Sequence, residues 1–565
     1  MKINLTAKPF NLDAESVKWV NETLAGMTEE EKLGQIFCLV AYRDDNEMLK
    51  RFASDLHIGG LMCRPMESNE ELLSVVKILQ ENSKIPMFIA ANLEAGGNGL
   101  TLQGTKVGSQ MQIAAANDPK YAYALGDVVG AEARAAGGNW AFAPVIDIDY
   151  NFRNPITATR TYGSDPEMVR RCGAEYTKAV QSHGVAASIK HFPGDGRDER
   201  DQHLVTSIND MSVEDWERTY GEVYKASIEA GALTVMIGHI MQPACSKALN
   251  PSLKDEDILP ATLASELLNG LLREKLGFNG MIVTDATTMN GFSIPMHRKK
   301  AVPLTIAAGC DMFLFTKNLE EDFGYMREGI KDGTISQERL NEAVTRILAT
   351  KAAIGLHKRK LVPDPAEMAS VVGCEAHKAI AREVADRSIT LEKNIQDVLP
   401  LSPEKYKHVL FFPIDPNGIS MFGDNKNNEI FVTKLRERGF HVDIFEPTPT
   451  FEGLAAGYSE TVDRYDLLIY SANLATKSNQ TTVRMEWAQP MGANVPMFIN
   501  AVPSIFISLE NPYHLLDVPR VKTYINTFGA SDVVVDALLD KLTGKSEFKG
   551  KSPVDAFLGR WETRF

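Results

Sequence analysis

Between Gly34 and about Leu356 the chain repeats one pattern: a short, wholly apolar run followed by a longer segment of helical periodicity. The apolar runs are IFCLVAY (from Ile36), IGGLMCR (from Ile58), PMFIAANLE (from Pro86), WAFAPVIDID (from Trp140), VAASIKHF (from Val185), LTVMIGHI (from Leu233), GMIVTDA (from Gly280) and DMFLFT (from Asp311). Runs that are apolar throughout, rather than at alternate positions, suit a parallel sheet buried on both faces. Between them, SVEDWERTYGEVYKASIEAG opens at Ser212 with Asp215 three residues on, a capping-box arrangement, and stops at Gly231. ATLASELLNGLLREKLG follows Pro260 and ends at Gly277, a proline start and a glycine stop. Leu340, Val344, Ile347 and Leu348 recur at helical spacing in the last helix. A doubly wound open sheet gives the same alternation, but eight consecutive β-then-α units favour closure into a (β/α)8 TIM barrel over residues 1–356.

The stretch LHKRKLVPDPAEM breaks the pattern, and residues 357–387 read as a linker and a helix from about Glu375 to Arg387. Beyond it KHVLFFPI, HVDIFEP, YDLLIYSAN, PSIFISLE and KTYINTFG are strand candidates. They predict a smaller α/β sandwich over residues 388–565.

Composition narrows the function classes. At 565 residues the chain exceeds one core, and 44% hydrophobic with 24% charged residues is ordinary globular usage. A formal net charge of −14 disfavours a nucleic-acid partner. No apolar stretch is long enough to span a bilayer, so no membrane partner is expected. The opening MKINLTAKPFNLDAESVKWV lacks an apolar core followed by small residues, so no signal peptide is expected. The six cysteines (Cys38, Cys63, Cys172, Cys245, Cys310, Cys374) are scattered with no CxxC pair, and read as reduced thiols of a cytoplasmic protein.

Barrels place their chemistry at the C-terminal ends of strands. Those ends carry Asn92 and Glu94, Asp147 and Asp149, Lys190 and His191, His239, and Asp285. Asp147 and Asp149 also read as organisers of the loop that follows them. The densest stretch is KHFPGDGRDERDQHLVTS, from Lys190 to Ser207, where a glycine-bounded turn precedes the pair Asp201 and His203. Imidazole exchanges a proton near neutrality, and a carboxylate fixes its tautomer, so the pair suits acid/base work. The alternative is a solvated, mobile loop, since RDERD is strongly charged. Asp285 ends an apolar strand, where a lone carboxylate is costly unless paired or functional. It reads either as a nucleophile or as a cap on the next helix. His191, Asp195, Asp201 and His203 are also metal-ligand types, but no HxxxH, HxH or HExxH spacing joins two imidazoles and Lys190 would oppose a dication. No metal or cofactor is expected.

At these motifs the sequence resembles the family 3 glycoside hydrolases, in their β-N-acetylglucosaminidase branch. FAPVIDIDYNFRNPITATRTYGSDPEMV looks like the family's barrel segment with a sugar-binding arginine, here Arg160. KHFPGDGRDERDQH resembles the branch-specific loop, and GFNGMIVTDATTM is similar to the nucleophile segment. ITLEKNIQDVLPL, SLENPYHLLDVP and ALLDKLTGKSEFKGKSPV resemble parts of the family's second domain. The resemblance implies Asp285 as nucleophile, His203 as acid/base and Asp201 as its orienting partner. It also implies that Lys190, His191 and Arg160 hold the sugar hydroxyls. Two positions depart from the family's DQEGGR turn, which appears here as NLEAGGN. Asn92 stands where an aspartate accepts hydrogen bonds from distal sugar hydroxyls, and Asn98 stands where an arginine often sits.

The expected activity is retaining hydrolysis of a β-linked N-acetylglucosaminide, or related sugar, through a covalent ester on Asp285. The partner is then a β-glycoside: an amino-sugar oligosaccharide or a peptidoglycan fragment. Two alternatives stay open: a phosphorylase using the same residues with phosphate as acceptor, and a catalytically silent sugar-binding protein.

Overall fold

The structure, a computed structural model, describes all residues except 1, 2, 42–44, 417–425, 449, 452–454, 456, 477, 483 and 490. The apolar runs of the first half form eight parallel strands. These are β1 (Phe37–Ala41), β2 (Gly60–Cys63), β3 (Phe88–Ala91), β4 (Trp140–Ala141), β5 (Ala186–Phe192), β6 (Thr234–Ile237), β7 (Met281–Thr284) and β8 (Phe313–Leu314). Each pairs with its neighbours in chain order, and β8 returns to β1 with Phe37 opposite Phe313. Between β7 and β8 a parallel bridge joins Val283 and Met312, with Thr284 N–H donating to Met312 O at 3.1 Å. The sheet therefore closes into a barrel, as the eight-fold repeat predicted. The last residue of the first apolar run, Tyr42, lies outside the described residues.

The barrel is filled rather than hollow. Trp140 stacks obliquely on Phe88, with centroids 5.0 Å apart, and its indole N–H donates to Thr234 Oγ1 at 3.0 Å. That hydroxyl passes a hydrogen bond to Ala187 O, so the buried polar groups are satisfied.

Three predicted elements differ in detail. The ten-residue run from Trp140 yields only a two-residue strand and an isolated bridge from Val145 to Lys190. Pro144 has no N–H for the ladder, and the Gln110 side chain takes over pairing with the N–H and C=O of Val145, at 3.0 and 2.7 Å. In the segment after Pro260 a short turn (Ala261–Leu263) comes first and the helix runs Glu266–Lys275 with wide turns, so the proline does not open it. Ala264 is extended between the two, with φ −101° and ψ 97°. At Ser212 the hydroxyl caps Asp215 N–H at 3.1 Å, but the short Asp215 side chain meets that hydroxyl instead of closing a full capping box on the backbone.

After helices Pro365–Val371 and Glu375–Ser388 the chain enters a six-stranded sheet. Its strands are β9 (Thr390–Asn394), β10 (His408–Ile414), β11 (His441–Ile444), β12 (Leu467–Ala472), β13 (Ser504–Ser508) and β14 (Thr523–Asn526), in the order β9-β14-β13-β12-β10-β11. Only β9 is antiparallel. Both faces are buried, as parallel strands require. Phe411, Ile469, Ile507 and Ile525 pack on one side with Phe431 and Leu538, from helices Asn427–Glu437 and Asp532–Leu542. Phe412, Tyr470, Phe506 and Tyr524 stack in a row on the other.

The two lobes are clamped together. Met111 and Ala115 of the barrel lobe pack with Tyr513, Phe528 and Val554 of the second. Around that apolar patch Ser109 Oγ donates to Phe528 O at 2.6 Å and Lys106 Nζ to Ala530 O at 3.0 Å. Tyr513 donates its hydroxyl to Asp149 Oδ2 at 2.5 Å. Among the described residues no helix is long and apolar enough to cross a membrane.

Candidate active site

The strand ends converge on one mouth. β5 delivers Lys190 and His191 as neighbours in the same strand. Lys190 is buried and places Nζ 2.7 Å from Glu94 Oε1. Arg160, on a short turn after β4, grips the same carboxylate with Nε at 2.9 Å and Nη2 at 2.7 Å. Burial alone would raise the Glu94 carboxyl, yet the two cations hold it well below the ordinary carboxylate range. Burial lowers the Lys190 ammonium despite the opposing pull of Glu94. Two cations share one carboxylate here, so the corner keeps donors to spare for an oxygen-rich ligand.

His191 is fixed by Asp147, whose Oδ2 lies 2.7 Å from Nδ1 and whose Oδ1 accepts the His191 backbone N–H at 3.0 Å. The carboxylate selects the tautomer with its proton on Nδ1. Nε2 then points toward Asp285 Oδ2 at 3.8 Å. Asp147 also accepts Asp195 N–H at 2.8 Å and so binds β5 to the turn beyond it. That turn needs glycine: Gly196 has φ +102°, and a Cβ there would sit 1.9 Å from Ile148 O. Asp149 has a different task, accepting from Thr157 Oγ1 at 2.6 Å and Ala158 N–H at 3.1 Å as well as from Tyr513. Of the two loop-organising candidates, Asp149 organises its loop and Asp147 orients a site imidazole.

Asp285 follows β7. Its Oδ1 accepts the Ala286 N–H at 2.7 Å, and its side chain is 14% exposed. Burial pushes the carboxyl upward, but the neighbouring His191 imidazole and the hydrogen bond from Ala286 N–H help hold it below its usual value, so it is ionised. Its carboxylate does not cap the short helix Asn290–Ser293, whose N-terminal side lacks a side-chain cap. His239 stiffens the turn: Nε2 lies 3.1 Å from Ala286 O and Nδ1 lies 3.1 Å from Thr262 Oγ1. Burial pushes its imidazole down to about 4, so it is neutral and serves as a strut.

The 190–207 stretch is not a solvated loop throughout. Asp198 and Arg200 pair with each other near the surface, while Asp201 is buried. Asp201 Oδ1 accepts both the backbone N–H of His203 and its ring Nδ1–H, each at 2.8 Å. The His203 side chain is 28% exposed. This loop is tied to the one after Asp285: His203 O accepts Asn290 N–H at 3.0 Å, and Thr206 Oγ1 donates to Gly291 O at 2.9 Å. The imidazole and the Asp285 carboxylate thus share one side of the barrel.

Asn92 is exposed just past β3, while Asn98 packs in the turn behind it with its Oδ1 buried and unpaired. Asn92 lies past the C-terminal end of β3, and Asn98 supplies an uncharged amide where an arginine was expected. Two contributors have no role assigned by the sequence. Glu94 was visible as a strand-end acid, and the two cations predicted nearby are the signal that would have assigned it. Asn479, whose backbone N–H reaches Asp201 Oδ2 at 2.6 Å from the second lobe, carries no sequence signal.

A family model described as "Glycosyl hydrolase family 3 N terminal domain" matches residues 28–350. A Cellulomonas fimi protein named "Beta-N-acetylglucosaminidase/beta-glucosidase" is 54% identical over 564 residues, covering 99% of this chain and 100% of that one. The solved structure of "Beta-glucoside phosphorylase BglX" is similar at a TM-score of 0.93 and 43% identity, covering 99% of both chains. A glycoside hydrolase family 3 β-N-acetylglucosaminidase from Paenibacillus sp. is similar at 0.79 and 25% identity, with 94% of this chain and 99% of that one covered. The family match spans the barrel, and a relative 54% identical covers nearly the whole chain: the chain belongs to glycosyl hydrolase family 3 and is a glycosidase of that family.

Proposed function

We propose that this protein cleaves β-linked N-acetylglucosamine, and β-linked glucose, from the non-reducing end of glycosides with retention of configuration. The Asp285 carboxylate attacks the anomeric carbon as the bond to the leaving oxygen breaks, and His203 gives that oxygen its proton. His203 then takes a proton from water as the water oxygen attacks the same carbon and releases Asp285. Asp201 holds the His203 ring through Nδ1, leaving Nε2 to carry the exchanged proton. Lys190, Arg160 and His191 bind the sugar hydroxyls, with Asn92 at the distal edge and Glu94 fixing the two cations. The observation that carries this reading is the pinning of the His203 loop onto the loop after an ionised, largely buried Asp285. The barrel lobe (1–356) supplies these groups, and the 388–565 lobe supports them across the 357–387 connection. The free cysteines agree with a reducing, cytoplasmic setting.

A second reading shares every residue: phosphate in place of water at the second step, giving sugar 1-phosphate. Two things favour it. A neutral imidazole does not repel phosphate as a carboxylate base does, and the resemblance to a β-glucoside phosphorylase covers nearly the whole chain. A 2-deoxy-2-fluoro β-glycoside with a good leaving group should label the peptide containing Asp285 by the mass of the sugar. Labelling elsewhere, or none with full activity retained, overturns the nucleophile. Turnover of aryl glucosides and N-acetylglucosaminides with and without phosphate then assigns sugar and acceptor from the products.

A further inference from the structure

The acid/base pair is held by more than the barrel. Asp201 is buried, so each carboxylate oxygen needs a donor. Oδ1 takes two N–H groups from His203, and Oδ2 takes the backbone N–H of Asn479, 278 residues away in the second lobe. At 2.6 Å this is a short, charge-assisted hydrogen bond. Asn479 sits at φ +66°, a left-handed conformation that aims its N–H at the loop. Three residues on, Thr482 Oγ1 donates to Arg153 O at 3.1 Å, anchoring the segment to the loop beyond β4. The Tyr513–Asp149 bond and the apolar patch around Met111 and Phe528 set the lobes in register behind it.

We infer that Asn479, through its backbone N–H, is a positioning residue for proton transfer: the second lobe fixes the Asp201 carboxylate, which fixes the His203 ring. This rests on the reading of His203 as acid/base. The physical ground is the orientation of one carboxyl group. With Oδ2 satisfied, the carboxylate plane is fixed and Oδ1 stays in line with Nδ1. Without the donor, Oδ2 is a buried, unpaired, charged acceptor and the group turns to find another partner. The ring it holds then loses its aim at the leaving oxygen.

The test separates a proton-transfer defect from general damage by the leaving group. A 2,4-dinitrophenyl β-glycoside departs without protonation, whereas a β-linked disaccharide needs the acid. Asn479→Pro deletes the N–H. Its kcat/KM should fall about tenfold or more on the disaccharide, part of the roughly 10²–10⁴ that general acid catalysis contributes, and stay near wild type on the dinitrophenyl substrate. Asn479→Gly keeps both the N–H and the left-handed backbone and should behave as wild type on both. Proline clashes with φ +66°, so a variant that fails to fold is replaced by an ester linkage at residue 479, which removes the N–H at unchanged φ. His203→Ala is the reference. If it shows the leaving-group dependence and the residue 479 variants do not, the inference falls and the acid assignment stands. If His203→Ala loses equally on both substrates, the acid assignment falls too.

Discussion

Two corners of the mouth are built on opposite plans. The Lys190–Glu94–Arg160 corner is made at strand ends and a tight turn, with Lys190 buried, Arg160 partly exposed and each cation hydrogen-bonded to one carboxylate. The Asp201–His203 corner rides on a long loop, has a ring 28% exposed, and borrows a donor from another lobe. A binding corner gains from rigidity, because any looseness is paid in every sugar contact. An acid/base group must serve a departing oxygen and then an incoming acceptor, so it needs solvent access and a ring held at one nitrogen only. On the proposed function, the difference in support, strand ends against a loop held from another lobe, follows the difference in task.

Breaking the loop corner should give the largest effect on turnover and the smallest on folding. His203→Ala should lower kcat/KM toward poor leaving groups by about 10²–10⁴ and leave the thermal unfolding midpoint nearly unchanged. A large fall in that midpoint, read by circular dichroism, would put the loop in the same structural class as the strand corner.

Breaking the strand corner should show the reverse balance. Glu94→Gln leaves buried Lys190 and partly exposed Arg160 facing a neutral amide and should cost about 3 kcal/mol of stability, with kcat/KM falling through a raised KM. Its pH dependence has a definite sign. Glu94 in the fold lies below its ordinary value, near 4.3 when unfolded, so its stabilisation is complete above that value. It is lost as pH falls through the lower, folded value. The gap between wild type and Glu94→Gln in unfolding midpoint should therefore be widest near neutrality and close in acid. A gap that widens below pH 4 contradicts the assignment of Glu94 as the shared counter-ion.

The same contrast explains what the sequence made legible. Strand-borne groups announce themselves, because an apolar run fixes where it ends: Lys190, His191 and Asp285 were readable from the runs before them. β4 was overestimated because Pro144 and Gln110 replace the ladder by side-chain pairing, which periodicity does not report. β9, Thr390–Asn394, was missed as a strand because it is a half-exposed edge with no apolar run. The roles proposed for Asp285 and His203 rest on family resemblance rather than spacing, since each also reads as a helix cap or part of a charged loop. Asn479 was invisible in principle: a backbone N–H has no residue type, and its reach depends on how two lobes dock.

The smallest effect belongs to Asn92, which lies outside both corners. It is exposed beyond β3, two positions before Glu94, and stands where the family resemblance expects an aspartate. The neighbouring corner holds two cations against one carboxylate, so a further carboxylate here is electrostatically tolerable. Asn92→Asp should strengthen contacts to distal hydroxyls, since charge-assisted hydrogen bonds are about twice as strong as neutral ones. Those hydroxyls are common to glucose and N-acetylglucosamine. kcat/KM should therefore rise a few-fold, roughly 1 kcal/mol of added binding, for aryl glycosides of both sugars in parallel, with the leaving-group dependence unchanged. A shift in the ratio between the two sugars, with no common gain, would instead mean that Asn92 senses the substituent at C2, and would move the distal edge of the site elsewhere.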